Sequence, residues 1–137
     1  MSRPDVSIVT AAVAPVNGRV RSLVALTCAA SAGVHAALVP EHYREGGLLL
    51  AGAFALSTLA LAAAGLQVRR PSRWAGGFTA LVLLAVAAAY LLSRTSGIPG
   101  LIPEPEHFEA LGVLTTIAEV VAATVAACLP PNRKESR

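Results

Sequence analysis

The sequence predicts an all-α integral membrane protein, an up-down bundle of four transmembrane helices. Three observations carry that prediction: 55% of the 137 residues are hydrophobic against 14% charged, four apolar stretches have the length of a membrane span, and the basic residues gather on one side of those stretches. A soluble domain carries about a quarter charged residues, so the balance belongs to a membrane protein. Aromatic residues make up only 4% of the chain and its basic residues form no continuous face, which argues against a nucleic-acid partner. The first partner expected is the lipid bilayer.

Residues 1–21, with Pro4, Pro15 and Gly18, read as a cytoplasmic N-terminal tail. The apolar stretches follow at 22–40, 46–68, 74–92 and 110–129, each close to the roughly 20 residues that cross about 30 Å of hydrocarbon. Backbone groups in lipid must be satisfied within the segment, so these are predicted to be helices. Ala30-Ser31-Ala32 resembles a signal-cleavage site, but the apolar run continues through Val39, which suits an uncleaved span. Pro40 disfavours helical geometry at Val39, and is expected to end or kink the first span and let Glu41–Glu45 fold back over its mouth. The other connections are 67–73 and 93–109, short enough to force neighbouring helices antiparallel. Residues 130–137 read as a cytoplasmic C-terminal tail. Small residues at four-residue spacing, such as Gly76 and Ala80 or Ala122 and Ala126, would let helices approach closely.

Orientation follows from charge. With the first span starting in the cytoplasm, nine of the eleven basic residues fall inside and only Arg44 and Arg94 outside. The positive-inside rule therefore puts both termini in the cytoplasm and the chain in the plasma (inner) membrane. His35, His42 and His107 then lie at or near the outer face.

Against this background a few residues stand out as candidates for chemistry. Glu119 is the tenth residue of the fourth stretch, roughly 14 Å from its outer end at 1.5 Å per residue. A carboxylate costs a few kcal/mol at such a depth, so it is expected to face the interior, protonated or paired, with Thr115 and Thr116 as local polar company. His35 lies five residues before Pro40, and Glu41 and His42 follow it. Imidazole and carboxylate together suit a divalent transition metal, although H-x5-EH lacks the one-turn spacing of HExxH, and the donor types alone carry that reading. Arg94 and Thr95 close the third span. Arg94 favours the helix C-terminus and is placed to pair with Glu119 or Glu41, while the Gly- and Pro-rich 93–109 segment is a candidate lid. The structural alternatives are a Glu119 merely hydrogen-bonded to its neighbours, a satisfied core His35 and a solvated 41–45 loop. Cys28 and Cys128 both fall toward the cytoplasmic side, with no C-x-x-C motif, so neither a disulfide nor thiol redox chemistry is expected.

With His35, Glu41-His42, Ser93-Arg94-Thr95-Ser96-Gly97-Ile98-Pro99 and Glu119 in place, residues 22–129 resemble a group of small bacterial four-span membrane proteins. That group carries H-x5-EH after the first span, an [ST]RTxGxP turn after the third and an acid in the fourth. The resemblance implies the architecture and the choice of residues, and no reaction. The function expected is a His/Glu/Arg pocket on the extracytoplasmic half that binds a metal ion or relays protons, a role favoured over an intramembrane enzyme in which metal and general base would share the site. A non-catalytic accessory subunit of a larger membrane complex, and a small proton-coupled transporter of a small cation working as a homo-oligomer, are the alternatives.

Overall fold

The computed structural model describes residues 6–102 and 104–130, with the side chains of residues 6–16 and of Arg73 outside the description. Arg3, Asp5, Pro103, Arg133, Lys134, Glu135 and Arg137 lie outside the described residues. The described chain is all-α, with three helices: α1 (Val6–Val68), α2 (Arg73–Thr95) and α3 (Ala110–Ala127).

Three helices in place of four overturn the expected four-helix bundle. Stretches 22–40 and 46–68 belong to one element, because the segment between them is helical and not a loop. Pro40 does not end the helix. A proline removes one backbone hydrogen bond, but neighbouring turns hold the helix through such a gap in membrane-spanning segments. The break in helical geometry comes later, at Gly47 (φ 67, ψ −157). Across that break the two arms of α1 lie side by side, and a Cβ placed on Gly65 would sit 3.1 Å from that of Cys28. α1 begins at Val6, inside the segment assigned to the N-terminal tail.

α2 starts where Ser72 caps it, its Oγ accepting from the Trp74 amide at 3.3 Å. It packs most extensively on α3, and the contact depends on missing side chains: a Cβ on Gly76 would meet the Ala126 carbonyl oxygen at 2.6 Å. The core is built from small residues and a few large ones, with Cys28, Leu61, Ala64, Val68 and Leu83 fully buried. Ala80, Ala122 and Ala126 are buried too, whereas Ala118 is exposed. Thr79, also fully buried, donates to the Ala64 carbonyl at 3.0 Å and ties α2 to the second arm of α1. Thr79→Val keeps the shape and removes that bond. It is expected to lower stability in detergent by about 0.6–1 kcal/mol, read from equilibrium unfolding.

The molecule is inverted relative to a soluble fold. Leu23, Leu48, Leu59, Leu66 and Leu114 are exposed, while Arg21, Ser31, Thr79, Thr116 and Glu119 are buried. Water would not tolerate so much exposed apolar area, and lipid favours it. All three helices are long and apolar enough to cross a membrane, as fits a multi-pass membrane protein. At one end, the buried Arg21 guanidinium donates to the carbonyls of Val68, Arg70 and Pro130, each at 2.9 Å.

Candidate functional site

At the end opposite Arg21 is a cavity of about 330 Å³. α1 supplies one wall. His35, Leu38, His42 and Glu45 recur three or four residues apart, so an unbroken helix turns all four toward the same side. Each imidazole is fixed one turn back along α1: His35 Nδ1 lies 3.0 Å from the Ser31 carbonyl and His42 Nδ1 3.1 Å from that of Leu38. A carbonyl oxygen only accepts, so each Nδ1 carries the hydrogen and Nε2 is the ring nitrogen left for other chemistry. Phe54, from the arm beyond Gly47, packs against both rings, with centroids 5.5 Å from His35 and 3.8 Å from His42.

α3 contributes Glu119, 1% exposed and bordering the same cavity. The Ser31 hydroxyl donates to Glu119 Oε1, and the Ser31 carbonyl accepts from His35, so one residue joins the acid and the imidazole. No described residue bonds the other carboxyl oxygen. The nearby cation is committed elsewhere: Arg94 Nη1 lies 2.8 Å from Glu106 Oε2 and the guanidinium sits 5.1 Å over the Tyr90 ring. The expected pairing of Arg94 with Glu119 or Glu41 is thus replaced by one with Glu106, because the Glu106 amide donates to the Ser93 carbonyl at 3.0 Å and brings its carboxylate beside the end of α2.

The connection from α2 to α3 closes part of the cavity. Gly97 (φ 71) and Gly100 (φ 80) turn the chain, and Ile98 and Ile102 pair as an isolated antiparallel bridge. Ile98, Leu101, Ile102, Glu106 and Glu109 face the space.

Of the sequence candidates, His35, Glu41, His42, Arg94, Thr115, Thr116 and Glu119 all border this one cavity. Thr95 does not. Its exposed hydroxyl donates to the Leu91 carbonyl at 2.7 Å. Sequence reasoning missed Ser31, Phe54, Tyr90 and Glu106. Ser31 carried a signal, since it precedes His35 by one turn. Glu106, in an irregular loop, carried none. Among the described residues no three His, Cys, Asp or Glu side chains are grouped to hold a metal ion, so the geometry lends the metal reading no support. Both cysteines are free, Cys28 buried and Cys128 exposed. No family model, curated protein or solved structure matches the chain.

Proposed function

We propose that this chain is a multi-pass membrane protein in which Glu119 exchanges protons with one aqueous phase through His35 and His42. The observation that carries the reading is the link through Ser31, which holds a buried carboxyl and an imidazole in one cavity. From there the titratable groups are graded in exposure. Glu119 is buried, His35 and His42 are half-buried, and Glu41 and Glu45 are exposed at the rim. His35 and His42 are seven residues apart on α1, a rise of about 10 Å, and both rings lie against Phe54, so the step between them needs a short chain of water molecules in the cavity. A proton accepted at His35 Nε2 then passes outward to His42 and the rim carboxylates. Arg94, Glu106, Tyr90 and Glu109 face the path from the α2 side and from the connection to α3.

Arg19, Arg21, Arg69 and Arg70 stand at the other end of the molecule, a distribution that under the positive-inside rule supports a cavity on the extracytoplasmic half.

The test is infrared spectroscopy of the full chain in bilayers during a pH titration. A carboxylic C=O band present in the wild type is expected to vanish in Glu119→Gln. On transfer to D2O its shift should slow at least about tenfold in His35→Phe, less than the roughly 10²–10⁴-fold that a positioned proton-transfer group contributes in catalysis, because water still reaches the cavity. A band that survives Glu119→Gln, or an exchange rate unchanged in His35→Phe, overturns the proposal.

A further inference from the structure

The charge of the cavity is lopsided in a way that proton exchange does not require. Five of the chain's eight acidic residues border it, Glu41, Glu45, Glu106, Glu109 and Glu119, against one of its eleven basic residues, Arg94, although the whole chain carries a net charge of +3. Arg94 pairs with Glu106 through Nη1 and lies over Tyr90, while its buried Nε has no hydrogen-bond partner among the described residues. Most of the remaining wall is apolar, with Leu38, Leu50, Phe54, Val86, Leu101 and Ile102 around a volume of about 330 Å³, interrupted by His35, His42 and the hydroxyl groups of Ser57, Thr115 and Thr116. That size is at the lower end for small-molecule sites, which combine apolar walls with a few placed polar groups. A small inorganic cation would leave most of the apolar wall unused, and an anion would meet five carboxyl groups. The buried Glu119 has one oxygen bound by Ser31 and the other without a partner among the described residues, at the inner end of the space.

We infer that the cavity binds a small organic cation with an apolar body, an amine of about benzylamine size, whose ammonium group hydrogen-bonds to the free oxygen of Glu119. The inference rests on the exchange reading in one respect: when Glu119 carries its proton, the incoming ammonium R–NH3+ forms the ion pair with the carboxylate and that proton leaves through His35. One cation enters, one proton departs and the charge of the cavity is unchanged.

Calorimetry on the purified full chain in lipid nanodiscs, with benzylamine, benzyltrimethylammonium, benzyl alcohol and benzoate as probes, separates charge from shape. Benzylamine is expected to bind at least about tenfold more tightly than benzyl alcohol or benzoate, a difference of about 1.4 kcal/mol. Benzyltrimethylammonium, which has no N–H to donate, should fall between them. Glu119→Gln should bring benzylamine down to the level of the alcohol, and because the probe series is compared in the wild type, the result stands even where that variant fails to fold. Alcohol or benzoate binding as well as benzylamine overturns the inference. A pH-indicator dye in weak buffer distinguishes the two proposals. Selective benzylamine binding without proton release sinks the exchange reading and keeps the ligand class, whereas intact infrared exchange with no preference for the cation does the reverse.

Discussion

Gly47→Val is expected to abolish the native packing of the chain, leaving material that is helical by circular dichroism but lacks a cooperative melt. Gly47 has φ 67 and ψ −157, a region that glycine enters freely and that costs other residues about 1–3 kcal/mol, more for a β-branched one. The penalty does not stay local. A valine that relaxes to helical angles straightens α1, and then Cys28 cannot lie against Gly65 nor Arg21 reach Val68. The cavity is lost with them, because Phe54 comes from beyond the break and His35 and His42 from before it. Two controls isolate the cause. Gly33→Ala, at a helical position with nothing within 4 Å, should be neutral or stabilising by up to about 1 kcal/mol. Pro40→Ala should leave the fold intact, since the helix already runs through that position. A Gly47→Val protein that melts like the wild type would show that the turn is set elsewhere.

The contrast between Pro40 and Gly47 explains where the sequence was legible. The stretches 74–92 and 110–129 appear as Arg73–Thr95 and Ala110–Ala127, because length and hydropathy alone decide a span flanked by polar segments. Residues 41–45 defeated the same logic. A run of charged residues beside a proline reads as a loop, but here the helix continues and one side of it has a polar cavity to face. His35, Leu38, His42 and Glu45 already showed the period of a helix, and that signal outweighs local polarity once a buried polar space exists to receive it. The position of Glu119 was legible because a carboxylate has nowhere to go but inward at that depth. Its partner was not. Ser31 lies 88 residues away in sequence, and which of several small polar residues meets the acid depends on helix rotation, which composition does not encode. For the same reason Arg94 found Glu106, an acid twelve residues on in a loop of irregular geometry, before either of the carboxylates expected for it.

Arg21 is a second residue whose role required the structure, and Arg21→Ala is expected to cost about 3 kcal/mol. Read as one of several basic residues near the first span, it is 8% exposed and donates to three carbonyls. Val68 ends α1, and Pro130 lies just past the end of α3, so a single cation sits at the C-termini of two helices whose last carbonyls have no intrahelical partner. A hydrogen bond to a charged donor contributes about 1.5–3 kcal/mol, and a buried carbonyl stripped of its donor costs a similar amount. Water at the membrane surface recovers part of this for the partly buried bonds to Arg70 and Pro130, but not for the buried one to Val68, which keeps the total below the simple sum. Arg21→Lys should restore less than half, because an ammonium is a point donor and the planar fork of arginine reaches three acceptors on separate segments. Equilibrium unfolding in mixed micelles gives the stability, and the infrared band of Glu119 serves as the internal control. Since the cavity lies at the other end of the helices, Arg21→Ala protein that remains folded should keep wild-type proton exchange. A loss of under about 0.5 kcal/mol, the range of an ordinary surface substitution, would mean that the three contacts do not hold the helix ends together.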